Sequence, residues 1–171
     1  MQKNKTKQLI LSYLDTPLGT MISLTDNTYL YLLKFTDQDN LERSIKSIKK
    51  ASHATIENGS SDLTTLLQSE LSQYFTGSLQ FFSIPIRFHG TSFQQKSWED
   101  LTKIPYGSTT SYGHQSTMIG NAKAYRAVAS ANKNNPIAII VPCHRVIKSN
   151  GELSGYNGGV HRKQALLDLE K

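Results

Sequence analysis

Cys143, His144 and Arg145 stand side by side in "IAIIVPCHRVIKSNG", residues 137–151, and Cys143 is the only cysteine among 171 residues. A thiol attacks carbon as the thiolate, and at its ordinary pKa of about 8.5 only a few per cent is ionised at neutral pH. A base, a cation or a helix N-terminus must help. The general arrangement is a nucleophile, a histidine base and a third group that orients the base. His144 is the candidate base; Glu152, Asp168 and Glu170 are the acidic candidates downstream. Adjacent side chains on an extended segment point apart, so Cys143 and His144 need a turn or a bridging water to cooperate. The plainer reading is a buried structural cysteine that precedes a solvated loop, and "PCHR" alone does not choose between them. One cysteine excludes an internal disulfide and a multi-cysteine zinc site within the chain.

Two further stretches carry chemistry. "GELSGYNGG" supplies Gly151, Gly155, Gly158 and Gly159 around Tyr156. Glycine permits close backbone approach to a ligand, so this reads as a binding loop anchored by Tyr156, against the alternative of a flexible connection. "AKAYRAVASAN" places Ala122, Ala124, Ala127, Ala129 and Ala131 around one prominent arginine, Arg126. A thin helix suits either close contact with another surface, with Lys123 and Lys133 meeting phosphates, or tight packing in a core. The formal net charge is +6, with its excess in the half that carries Cys143. A basic surface favours polyanions, nucleic acid first.

The elements that must position these residues follow from periodicity. Residues 8–35 alternate in short runs broken by Pro17-Leu18-Gly19 and Asp26-Asn27, which predicts three strands joined by hairpins. Leu41, Ile45 and Ile48 share a helical face behind a cap at Asp39 or Asn40. "SHATIENGSS" reads as a surface loop holding a short strand. "SDLTTLLQSELSQYFTG" predicts a helix from Ser61 to Gly77, and "LQFFSIPIRF" an extended segment. Thr91 or Ser92 starts another helix with a capping box at Gln94 or Gln95. "SYGHQSTMIG" and an Asn121-capped "AKAYRAVASAN" then form two short helices in helix-turn-helix order. "IAIIV" predicts a buried strand, and "VHRKQALLDLEK" a last helix with Ala165, Leu166 and Leu169 inward. The texture changes near residues 84–90, which divides the chain into residues 1–87 and 88–171. No apolar run approaches the ~20 residues that span a bilayer, and the start "MQKNKTKQ" lacks the apolar core of a signal peptide. The expectation is a cytoplasmic protein without a membrane partner.

"PCHRVI", with "NPIAIIV" before it and "SGYNGG" after it, resembles the signature of the O6-alkylguanine-DNA alkyltransferases, the methylated-DNA–protein-cysteine methyltransferases. The resemblance extends through "GTSFQQKSW", "IPYGSTTSY", "AYRAVASAN" and "YFTGSLQFFSIPI", nearly the whole chain. It implies an α+β (α/β) protein: an N-terminal ribonuclease-H-like roll, then a helical subdomain with a helix-turn-helix whose recognition helix enters the DNA minor groove. It implies Cys143 as alkyl acceptor, His144 as base through a water, Glu170 as the acid orienting it, and Asn135 as brace of the active-site turn. Arg126 matches the finger that fills the stack when the damaged base is flipped out. Tyr112 matches the residue that rotates the target phosphate and donates a proton to the guanine ring. Ala127, Lys123 and Lys133 complete the expected DNA face. Val146, Tyr156, Asn157 and Gly158 form the expected substrate pocket, with the carbonyls of Cys143 and Val146 accepting from the guanine exocyclic amine. Arg145 is expected to tie the active-site loop to the subdomain. Asn157 stands where Ser or Ala is common, and Tyr125 where a smaller residue is common.

The implied reaction moves an alkyl group from guanine O6 (or thymine O4) in double-stranded DNA to Cys143, once per molecule. The product is a thioether, which has no carbonyl for water to attack. The resemblance implies a monomer with no cofactor; some members of the family bind zinc in the N-terminal subdomain, but this chain has no cysteine there, so no metal is expected. Two rivals use the same parts: a thiol hydrolase, which turns over, and a lesion sensor without transfer, whose kind replaces the cysteine.

Overall fold

The computed structural model describes residues 5–171. The first four, part of the polar start read above, lie outside the described residues. Three strands, β1 (Lys7–Thr16), β2 (Gly19–Thr25) and β3 (Leu30–Phe35), form an antiparallel meander, as the alternation and turn residues predict. Helix α1 (Leu41–Ser52) crosses back to β4 (Ala54–Asn58), which pairs parallel to β1 and gives the sheet order β3-β2-β1-β4. α1 starts where predicted with Asn40 as its N-cap residue, but the Asn40 side chain makes no cap hydrogen bond. Helix α2 (Asp62–Phe75) has Ser61 as N-cap with a reciprocal Thr64 capping box, which satisfies two of its free N–H groups.

Helix α3 (Ser92–Leu101) opens on the expected box, Thr91 with Gln94. Helices α4 (Tyr112–Ile119) and α5 (Tyr125–Lys133) follow, separated by Gly120 in the left-handed conformation at φ 92°. Asn121 does not cap α5. Its Oδ1 accepts from Lys123 N, closing a local turn, so the helix begins four residues later without a side-chain cap. Gln115 and Asn132 exchange reciprocal amide hydrogen bonds at 3.2 and 2.8 Å, and Trp98 Nε1 donates to Ala131 O at 2.8 Å. These buried polar contacts fix the angle between α4, α5 and α3. The last helix, α6 (Val160–Leu169), buries Leu166 as predicted and leaves Ala165 half-buried. It also buries two cations, Arg162 and Lys163.

Both faces of the sheet are covered. Leu9, Ile22, Leu24 and Leu32 pack under α1, while Leu14, Met21, Leu33 and Phe35 join a larger core with α2, α3 and α6. The free edge of β3 is completed by two short segments from later in the chain. Leu30 exchanges backbone bonds with Pro85 and Arg87, and Leu33 with Pro136 and Ala138. That edge is where the segment leading to Cys143 is anchored.

Candidate active site

"IAIIV" is not a strand. Ile137 makes one bridge to Leu33, and the chain then folds on itself twice. Ile140 N donates to Ala138 O at 2.8 Å across Ile139, whose φ is +71°. Cys143 N donates to Val141 O at 2.9 Å across Pro142, at φ −85° and ψ 62°. These are two successive three-residue turns, the first in the strained sense. A β-branched residue at positive φ costs energy and persists only where its surroundings over-determine it. Ile139 is fully buried in the main core, which supplies that constraint. Periodicity could not see this, because a short apolar run reads alike as a strand or as a buried irregular segment.

Asn135 staples the turns. Its Oδ1 accepts from Ile137 N at 3.0 Å, and its Nδ2 donates to Val141 O at 2.8 Å and to Cys143 Sγ at 3.2 Å. Cys143 opens a 3₁₀ turn with His144 and Arg145 and faces a cavity of about 630 Å³. Tyr112, Lys133, Tyr156 and Asn157 line the same cavity.

Behind the thiol lies a buried polar network. His144 Nε2 meets Glu170 Oε1 at 2.8 Å, and both side chains are fully enclosed. Arg145 donates to both Glu170 oxygens at 2.9 Å, and its third bond goes to Ile104 O at 2.6 Å. Tyr74 Oη donates to Glu170 Oε1 at 2.7 Å. Burial alone would raise the Glu170 carboxyl, but bonds from His144, Arg145 and Tyr74 bring it down to about 2. Glu170 is therefore a fixed anion. Burial pushes His144 below its ordinary value, against the pull of Glu170, so the imidazole rests neutral. Its Nδ1 is buried and has no hydrogen-bond partner among the described residues.

Burial pushes the Cys143 thiol up; the Asn135 amide and two lysines oppose it. Lys163 donates to Val146 O at 2.6 Å and to Ser154 Oγ at 2.9 Å, and Ser154 is bonded in turn to Tyr112 Oη. Lys34, from β3, is completely buried and donates to Asn40 Oδ1 at 2.8 Å. Burial brings each lysine down to about 8, and each would be drawn back up by a thiolate at Cys143. Sequence reasoning missed Lys34, Lys163, Tyr74 and Ser154. Lys34 interrupts an otherwise apolar strand, "YLLKF", which is the one local signal that pointed to it.

The expected residues divide. Cys143, His144, Glu170 and Asn135 converge, and Tyr112, Tyr156, Asn157 and Lys133 stand around the cavity. Val146 and Gly158 are not in its wall. The Val146 side chain is wholly buried and its carbonyl is engaged by Lys163. Gly158 is packed beneath Tyr156, whose ring lies 2.8 Å from where a Cβ would be. Lys123, Arg126 and Ala127 are exposed at the start of α5, with Tyr125 beside them. The alanines do not share one face: Ala131 is buried, Ala127 exposed, and Ala129 lines the cavity. Among the described residues no helix is long and apolar enough to cross a membrane, and no group of three or more His, Cys, Asp or Glu could hold a metal ion.

Residues 92–171 match the family "6-O-methylguanine DNA methyltransferase, DNA binding domain". A methylated-DNA–protein-cysteine methyltransferase of Mycobacterium leprae is 42% identical over 158 residues, 92% of this chain and 90% of that one. A Mycobacterium bovis protein of the same name is 55% identical over 102 residues, 60% of this chain. That match spans 62% of the relative's own length. Among solved structures, Mycobacterium tuberculosis OGT in complex with DNA superposes with a TM-score of 0.81 at 40% identity, covering 95% of this chain and 92% of that one.

Proposed function

Because the chain belongs to the methylated-DNA–protein-cysteine methyltransferase family, we propose that it repairs DNA by moving an alkyl group from guanine O6 to its own Cys143, once per molecule. The observation that carries this reading is the thiol at a cavity wall, backed by a neutral imidazole on a fixed carboxylate and by two buried ammonium groups. A thiol–imidazole pair with both partners neutral stores no charge until substrate arrives. The thiol proton then passes to His144 Nδ1 through a water, and Glu170 stabilises the imidazolium through Nε2. Sulfur forms a bond to the alkyl carbon as the carbon–O6 bond breaks, and the departing guanine takes a proton on its ring from Tyr112. Lys163 passes a proton through Ser154 to restore Tyr112, so the positive charge the lysine gives up is the one His144 gains with the thiol proton. The thioether offers no route to regenerate the thiol.

Cys143 is only 8% exposed, so a base paired within a duplex does not reach it. The target must be turned out of the stack, and exposed Arg126 fills the gap it leaves. The protein works as a monomer in the cytoplasm, with α5 in the minor groove and Lys123 and Lys133 at phosphates. Residues 88–171 carry the chemistry, and residues 1–87 add Lys34 and Tyr74 to it. The test is intact mass after incubation with excess duplex containing O6-methylguanine. One methyl should appear per chain, on the peptide holding Cys143. Sustained turnover would favour the hydrolase instead, and binding without added mass would favour the sensor.

A further inference from the structure

The side chain of Asn40 is in an unusual position for an N-cap asparagine. Such a residue ordinarily accepts from the N–H groups of the first helical turn. Asn40 gives that up: its Oδ1 accepts from Lys34 Nζ and from Asn157 Nδ2, each at 2.8 Å. Lys34 is wholly buried and Asn40 is 9% exposed. Asn40 Oδ1 thus joins a buried cation of β3 to Asn157, which lies 117 positions after Asn40 in the wall of the Cys143 cavity. A donor charge polarises the acceptor amide and makes this contact stronger than a neutral pair.

The loop that Asn157 belongs to is held at Ser154 by Lys163 and Tyr112 and is loosely packed at two of its glycines. A Cβ at Gly151 or Gly155 would meet nothing within 4 Å. On the inner side Gly158 O accepts from Arg162, which is itself paired with Asp37 near the end of β3. Outward movement of the Asn157 side chain therefore requires parting it from Asn40.

Resting on the alkyl-transfer reading above, we propose that Asn157 is a specificity-determining residue latched by Asn40 and Lys34, so that the N-terminal sheet limits the size of O6 substituent the cavity admits. A methyl group fits the latched wall. A benzyl group requires it to move outward.

The measurement is the ratio of single-turnover rate constants for free O6-benzylguanine and for duplex O6-methylguanine. Asn157→Leu keeps side-chain bulk and removes the donor. It should raise the ratio about fivefold, and Asn40→Ala should do the same; the double variant should show no further gain, because both break one contact. Asn40→Asp keeps an acceptor for both donors and should hold the wild-type ratio. An unchanged or lower ratio in Asn157→Leu overturns the latch, as do two single effects that multiply in the double variant. If Asn40→Ala does not fold, Asn157→Leu and Asn40→Asp decide between those outcomes. Absence of methyl transfer by the wild-type protein would instead overturn the alkyl-transfer reading, and the latch with it.

Discussion

The meander β1–β3 and the segment from Asn135 to Ile147 meet at one sheet edge, and they are built on opposite rules. In the meander every strand satisfies its backbone by a ladder, and side chains alternate between two cores. Its stability is distributed over many interchangeable apolar contacts. From 135 to 147 the backbone has two three-residue turns, a positive φ on isoleucine, a 3₁₀ turn and a two-residue strand. Its backbone groups are satisfied one at a time, by tight turns, by the β3 edge and, at Ile137 N and Val141 O, by a single asparagine. A regular element tolerates a lost contact. A stapled one aims a single atom, and loses its aim when the staple goes.

Removing the aimed atom is the most severe test. Cys143→Ala should leave no measurable transfer while retaining the fold, since the side chain is small and at the cavity wall. Asn135→Ala should come next. It leaves Ile137 N–H without its partner, at a cost of about 1–3 kcal/mol, leaves Val141 C=O with the Cys143 N–H alone, and should slow transfer by about a hundredfold. Leu24→Ala in the meander should cost a similar or larger amount of stability, about 2–5 kcal/mol in denaturant unfolding. Its transfer rate, scaled to the folded fraction, should stay at the wild-type value. Equal damage to rate in both variants would erase the distinction between the two regions.

A finer test compares two isoleucines that are both fully buried. Ile137→Gly and Ile139→Gly lose the same side chain, but only Ile139 has a φ that suits glycine. Ile139→Gly should therefore be the less destabilising by about 1–2 kcal/mol. The smallest effect expected is in the pH profile of single-turnover transfer. The His144 base acts neutral and its value lies below the ordinary 6.5, so the rate should fall only as pH drops below 6.5. Lys34 and Lys163 lose their charge above about 8, so thiolate support should weaken there and the profile should bend down. An acid limb centred above 6.5 would show that His144 is held protonated. Glu170 adds a stability counterpart. Its folded value near 2 lies below the unfolded 4.5, so its contribution is complete above 4.5 and is lost as pH falls through 4.5 toward 2.

Much of this was legible beforehand. Alternation broken by "TPLG" and "TDNT" specified the meander, and the spacing of residues 63, 66, 67, 71, 74 and 75 specified α2. "PCHR" offered a nucleophile and a base. Failures fell where local pattern and tertiary demand part. "IAIIV" has strand composition, yet the β3 edge takes only Ile137 from it. Asn121 and Asn40 are good caps by type, but one closes its own turn and the other serves Lys34, six residues before it, and Asn157 across the fold.

By itself the sequence determined which groups are available: one thiol, an imidazole beside it, a guanidinium next to that, and the helices and strands that carry them. Those depend on residue type and on contacts a few positions apart, which are written locally. Tertiary structure decided what the groups mean to one another. Glu170 becomes the anchor of His144 from 26 positions away, Tyr74 from 96 away is its third hydrogen-bonding partner, and Lys34 brings a buried charge from the sheet to the thiol's surroundings. Electrostatic interactions act through space and strengthen as water is excluded, so their partners are set by which segments fold together rather than by which are neighbours in the chain.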